Sequence, residues 1–387
     1  MRNKMKTQVN VKFPCQLVLL LLLLMLNCKQ QDPNVVIIND DDALEVNIED
    51  VATDIRVVPL KSEELINGWK NMWSYNDNEL FIQDRYGKII YYFYDNVLRG
   101  KLDAVGRGPG EYTAIEWFAY SPEEKMIYIT QYTRGLVMKY SVPDMKFCGK
   151  IQVNGRIGNL SINDDKTLLM AYLDDSLSQY SLQLVDNISG DTLNKVMMLN
   201  PRQYYSTAKS MRPDSKLLSI WGGVNSIGLV SNKNEFKVLF KYSFGEKGIP
   251  SRIYDYDVAD SDGTTDFVTY VLSDEGKLSL NGCFFPKKES DGISFWYNRA
   301  ITRDTLYCYY RKTIDSVTHY KGFKVPGLKT PLFPECSTES GYVSILEGTP
   351  DRYIDSTKVA SPLAKLILDA MREQKDNNPV VVYYNIK

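Results

Sequence analysis

From Ile55 onward the chain alternates short apolar or aromatic runs with polar breaks. Ile55–Leu60, Glu79–Asp84, Lys88–Tyr94 and Leu98–Val105 read as strands, with turn residues at Asn76-Asp77-Asn78 and Arg85-Tyr86-Gly87. Pro59 marks a strand end or an edge, because it donates no ladder hydrogen bond. The same order then recurs at Glu116–Tyr120, Met126–Thr130, Leu136–Tyr140 and Phe147–Val153. A third unit reads Leu160–Ile162, Thr167–Leu173, Tyr180–Asp186 and Thr192–Met198. A polar turn followed by an apolar strand is common to residues 75–82 and 162–169. Units of four strands repeating at about 40–45 residues predict an all-β fold, a β-propeller.

The second half is less regular. Leu217–Trp221, Ser226–Ser231, Phe236–Phe244, Phe267–Leu272, Leu278–Phe285, Ile293–Ile301, Thr305–Arg311 and Tyr342–Glu347 read as strands, with a long polar stretch over 249–265. One helix stands out at 361–373. Ser361 is its N-cap, Pro362 its first residue, and Leu363, Leu366, Ile367, Ala370 and Met371 form its apolar face. The chain ends on a strong strand at 379–386. Such a strand needs a partner, and pairing it with the first strand of the domain closes the ring of blades. Six units fit residues 51–387; spacing alone also accommodates five or seven.

The N-terminus follows another pattern. Arg2, Lys4, Lys6 and Lys12 precede an apolar run over Leu17–Leu26, which ends at Asn27-Cys28. About ten apolar residues are too few to span a membrane as a helix and match a signal segment. The cysteine directly after the run resembles a bacterial lipoprotein processing site, so residues 1–27 are expected to be a lipoprotein signal peptide with Cys28 the lipidated residue, although Asn27 replaces the usual small residue. Ordinary secretion with cleavage nearby and an uncleaved anchor are the alternatives. Residues 28–50, polar and acidic at Asp40-Asp41-Asp42, are expected to be a tether. Four positive charges and no negative ones leave with residues 1–27, taking the formal charge from −2 to −6. A mildly acidic chain without a basic block speaks against nucleic acid as a partner.

Between the first two units stands Gly106-Arg107-Gly108-Pro109-Gly110-Glu111-Tyr112. Three glycines and a proline exclude a helix interior or a central strand, so the segment is expected to be a backbone-defined blade connection. It lacks the Lys-Ser/Thr of a phosphate-binding loop, and only Arg107 and Glu111 have side chains able to pair across blades. With the Pro59-Leu60 strand, the Asp304-Thr305-Leu306-Tyr307 phrase and the closing Asn378–Tyr383 strand, this segment resembles the six-bladed β-propeller lipoproteins of gut Gram-negative anaerobes. Those are similar in shape to NHL-repeat and TolB-like propellers. The resemblance implies a six-bladed propeller attached to the outer membrane, with periplasmic or surface side open. It implies no catalytic residues.

Catalytic and metal-binding patterns are weak. The single histidine, His319, has no Gly-x-Ser-x-Gly elbow to serve. Cys148, Cys283, Cys308 and Cys336 form no CxxC pair, so neither a zinc site nor a disulfide framework is indicated. Buried free thiols are the favoured reading, with Cys283–Cys308 the first pair to test for a disulfide. The acidic stretch Asp255–Gly263 fails the calcium-loop pattern, since Val258 and Thr269 occupy its first and last ligand positions. Glu111 and Glu116 are carboxylate candidates by position alone, and Trp69, Trp73, Trp117, Trp221 and Trp296 either pack between blades or stack on a ligand. No catalytic, cofactor-binding or metal residue is assigned and no cofactor is implied. The expected function is a ligand- or protein-binding or scaffold module, with a glycan or an envelope protein as partner. The alternative is a glycan hydrolase or lyase working in the propeller funnel.

Overall fold

The computed structural model describes residues 35–37, 44–66, 68–75, 78–131, 135–153, 156–162, 168–174, 179–198, 208–210, 217–220, 226–230, 236–243, 278–284, 293–299, 305–311, 316–338, 341–374 and 378–387. Met1–Val35 and Val36–Lys387 are separate compact units, and the second contains the fold. Six sheets, each built on antiparallel strands, succeed one another along it. Blade 1 consists of Trp69–Ser74, Glu79–Asp84, Ile90–Tyr94 and Val97–Leu102. Blade 2 follows with Trp117–Ser121, Met126–Gln131, Leu136–Ser141 and Phe147–Gln152. Blade 3 runs Arg156–Ile162, Leu168–Asp174, Gln179–Val185 and Thr192–Met198. Blade 4 contains Ala208–Ser210, Leu217–Ile220, Ser226–Val230 and Phe236–Ser243. Blade 5 contains Leu278–Phe284, Ile293–Arg299, Thr305–Arg311 and Ser316–Lys324. The sixth, closing blade joins both parts of the domain: Cys336–Ser337, Tyr342–Leu346, Val380–Ile386 and, outermost, Ala52–Pro59.

The closing pairing runs Val380↔Pro59 to Ile386↔Ala52. Val380–Tyr384 is buried throughout because this strand has neighbours on both edges and packing on both faces. Its cluster takes in Leu363, Ala364, Ile367, Leu368 and Met371 of the helix Pro362–Glu373. Ser361 caps that helix, its Oγ accepting from the Ala364 amide at 3.2 Å. The buried stripe is centred one residue away from the expected face, so Ala364 and Leu368 point inward and Leu366 is 53% exposed.

The first strand of the domain thus belongs to the last blade, and blade 1 opens on Trp69–Ser74, which the periodicity does not reveal. Lys70 and Asn71 interrupt its apolar pattern, and the register shifts between Trp69 and Asn71. The expected tether is also shorter. Leu44–Asn47 pairs in parallel with Ser316–Lys324 as a fifth strand of blade 5, and Ile48–Val51 forms a helical turn. An outer strand offers unpaired backbone groups, and the Leu44-Glu45-Val46 alternation supplies a complementary edge.

Cys283 and Cys308 both lie opposite Phe295, two strands apart. At about 4.8 Å per strand their Cα atoms are separated by roughly 9–10 Å, beyond the reach of a disulfide. Cys336 is a buried free thiol, whereas Cys148 is free and exposed on the outermost strand of blade 2. The strand expected at Phe267–Leu272 and the stretch Asp255–Gly263 lie outside the described residues, as does Cys28.

Candidate functional site

The first strands of blades 2, 3 and 4 lie against one another, as do those of the closing blade and blade 1, which makes them the axial ends of the sheets. Two features frame the side on which these strands begin. One is the turn Gly106–Tyr112, in the connection between blades 1 and 2; the other is the seam between the closing blade and blade 1.

The turn is held by its own residues. The Gly106 amide donates to the Tyr112 carbonyl at 2.8 Å, and the Tyr112 amide to the Ala104 carbonyl at 3.0 Å. The Glu111 carboxylate folds back and accepts from the Gly108 amide at 2.7 Å. It occupies the space a Gly106 side chain would need, since a Cβ there would lie 2.0 Å from Glu111 Oε2. Gly110 has φ +74°, and a Cβ on it would meet Phe147 of blade 2 at 2.8 Å. Tyr112 is fully buried, and its hydroxyl donates to the Lys88 carbonyl at 2.7 Å, with the Leu102 carbonyl at 3.1 Å. Burial raises its phenol above the ordinary range. From blade 2, the Tyr140 hydroxyl donates to the Gly110 carbonyl at 3.0 Å. The amides of Gly106 and Gly108 are therefore already committed within the loop. Arg107 is exposed and has no ion-pair partner among the described residues, so neither it nor Glu111 pairs across blades.

The seam is assembled from distant segments. A bulge at the start of Trp69–Ser74 breaks the alternation that would place Trp69 and Trp73 on one face. Trp73 turns to blade 2, where its ring meets Trp117 at 5.6 Å and Phe118 at 6.4 Å. Trp69 turns to the closing blade, and its indole Nε1–H donates to Glu335 Oε2 at 3.3 Å. The neighbouring Gly68 amide donates to Glu347 Oε2 at 2.9 Å. Glu335 is packed deeply, with a small part of the residue open. Burial pushes its carboxyl up to about 7, against the lowering effect of the Trp69 hydrogen bond. On the same side, Lys70 pairs with Glu116 at 3.7 Å, and Arg85 donates to the Tyr86 hydroxyl at 2.7 Å while lying over its ring.

Glu111 and Glu116 are thus engaged separately, one by a backbone amide and one by a lysine. His319 stands opposite Cys308 in blade 5. Among the described residues no group of three or more His, Cys, Asp and Glu side chains is placed to hold a metal, and no helix is long and apolar enough to cross a membrane. Trp73 and Trp117 pack between blades with indole nitrogens lacking hydrogen-bond partners among the described residues, whereas Trp69 has a polar one. Trp221 lies outside the described residues, and Trp296 is placed only as a strand position of blade 5. Glu335 escapes a reading by motif. Its one sequence signal is an acidic residue set in the otherwise apolar run Leu332-Phe333-Pro334-Glu335-Cys336.

A family model described as a six-bladed β-propeller, DUF5128, matches residues 27–271. The chain belongs to this family. The fold agrees with two solved structures. A protein of Bacteroides fragilis assigned as exported superposes with TM-score 0.68 at 16% identity, covering 91% of this chain and 100% of its own. A DUF4221 family member from Bacteroides vulgatus superposes with TM-score 0.52 at 11% identity, covering 87% and 98%. At such identities the likeness is one of fold. No curated protein matches the sequence. Six sheets closed by the Val380–Ile386 and Ala52–Pro59 pair accord with the family's six blades and exclude the five- or seven-bladed counts.

Proposed function

We propose that this propeller is anchored by lipid at Cys28 to the outer membrane and binds a ligand or an envelope protein on its axial face, without chemistry of its own. The anchor reading rests on the order basic segment, apolar run, cysteine at residues 2–28, and the similar Bacteroides protein assigned as exported is in keeping with it. The binding reading is carried by one observation. Trp69 and Glu335, 266 residues apart in the chain, meet at the axial side of two blades with part of each left open. An aromatic surface with one polar group fixing orientation is the common composition of a binding site.

A second reading, a glycan hydrolase or lyase, is favoured by the position of the Glu335 carboxyl near 7, which suits a general acid. It needs a second carboxylate about 5–9 Å away across the substrate. A glycan and metabolite screen on the chain from residue 29 decides between them. Saturable binding weakened tenfold or more by Trp69→Ala supports the module, turnover of a bound glycan supports the enzyme, and no binding at all overturns both. Cys28→Ala is expected to release the protein from the membrane fraction; unchanged fractionation removes the anchor.

A further inference from the structure

Glu335 has an unfilled side. Its Oε2 accepts the hydrogen bond of the Trp69 indole N–H, while its other oxygen has no hydrogen-bond or ion-pair partner among the described residues. Desolvation and the indole bond are the influences on this carboxyl, and no lysine or arginine contributes. Glu347, bonded to the Gly68 amide, also forms no ion pair among the described residues. Of the nearby cations, Arg85 lies on Tyr86 and Lys70 pairs with Glu116, while Arg352 lies against Gly348, beside Glu347 and without influence on the Glu335 carboxyl. From the strands of the closing blade, the group facing Glu335 is the Tyr384 phenol, which burial keeps neutral and which bonds Ser344 at 3.0 Å. Buried carboxylates are ordinarily paired, so this one lacks the partner its position calls for.

Resting on the axial-face binding reading, we infer that the seam recognises an organic cation, a primary ammonium or guanidinium group, seated against the Glu335 carboxylate beside the Trp69 indole. A carboxylate supplies a charge-assisted hydrogen bond to such a group, and an indole supplies its ring face. A hard metal ion fits less well, because it needs six or more oxygens and no group of three or more acidic, His or Cys side chains is placed to hold one among the described residues. The bulge that turns Trp69 away from Trp73 has a role in this arrangement, since without it the indole would join the packing of blades 1 and 2. The outer side of the same seam offers a cleft of about 690 Å³ lined by Lys61, Glu63, Val97, Glu373, Gln374 and Asn378. There Asn378 and Gln374 are already bonded to backbone atoms of Ile66, Ser62 and Leu60, and Lys61, Glu63 and Glu373 are exposed to solvent, so it holds no buried carboxylate.

The cation has two possible sources, a free amine or a lysine or arginine side chain of a partner, and titration calorimetry on the full chain separates them. One arm uses n-butylammonium and agmatine; the other uses short Lys- and Arg-containing peptides. Binding is expected to tighten about tenfold between pH 6 and pH 8, as a carboxyl titrating near 7 goes from about one-tenth to nine-tenths ionised. Glu335→Gln is expected to weaken binding tenfold or more and to abolish the pH dependence. Should that variant fail to fold, the Trp69 Nε1–H resonance of the parent, assigned with Trp69→Phe, is expected to shift on adding amine. Affinity unaffected by pH, or an unmoved indole resonance, overturns the inference. A neutral glycan that binds through Trp69 while amines do not also overturns it, leaving the axial binding site standing; no ligand of either kind overturns both.

Discussion

The Gly-rich turn and the closing-blade seam lie on the same side of the propeller but are built in opposite ways. In the turn, Glu111 satisfies Gly108 three residues away and Tyr112 satisfies Gly106. Its internal bonds need no distant chain, and the residues that define it are contiguous. At the seam, Gly68 and Trp69 depend on Glu347 and Glu335, 279 and 266 residues away. The turn is closed on itself, while the seam keeps a carboxyl oxygen open. Contiguous motifs advertise themselves in a sequence and are here architectural; the Trp69–Glu335 bond is one that only ring closure creates.

The most severe way to break this contrast is to open the ring. Deleting residues 380–387 removes five consecutive buried side chains, each stabilising by about 1.5–3 kcal/mol, a sum comparable with the whole stability of a domain. The expected outcome is loss of cooperative thermal unfolding across the domain, followed by circular dichroism. A parent-like transition would mean that the blades hold together without this strand.

The next effect separates the regions by pH. The Glu335 carboxyl is raised from 4.5 to about 7, so folding favours its protonated form. Its stabilisation is fully present below pH 4.5 and is lost as pH rises through 7, by up to about 3 kcal/mol. Denaturant melts at pH 5 and pH 8 should show this slope in the parent and not in Glu335→Gln. Trp69→Phe, which removes the bond lowering the carboxyl, should move the titration to higher pH. Equal slopes in parent and Glu335→Gln would assign the dependence to other groups.

Within the turn the effects are smaller and insensitive to this titration. Gly110→Ala places a Cβ at positive φ and against Phe147, and a loss of about 1–3 kcal/mol is expected in denaturant melts. Gly106→Ala displaces the mobile end of Glu111 and should lose less, about 1 kcal/mol. Arg107→Ala should change stability by at most about 0.5 kcal/mol, as expected for an exposed, unpaired side chain. A large effect of Arg107→Ala, or none of Gly110→Ala, would contradict the account of the turn as a backbone device.

Much of the fold is legible in the residues because strand periodicity is local. Thr192–Met198 and Glu79–Asp84 stand where their apolar runs place them, and Ser361 caps its helix. The apolar final strand likewise announces that it must be paired on both sides. What the sequence could not assign was phase. Ile55–Leu60 looks like the first strand of the first unit, yet its backbone completes the last blade, and Trp69–Ser74 opens blade 1 despite an interrupted pattern. Nor could the residues show that a bulge turns Trp69 toward Glu335, because its direction is set by pairing with Gln83 and Asp84. Short-range alternation and turn chemistry determined an all-β chain of repeated four-stranded units whose last strand pairs with its first, whereas the strand on which blade 1 opens, and the carboxyl held beside Trp69, were decided by closure of the ring. Hydrogen bonds between neighbours in sequence are encoded by neighbours; those across a closing blade depend on the sum of every turn between.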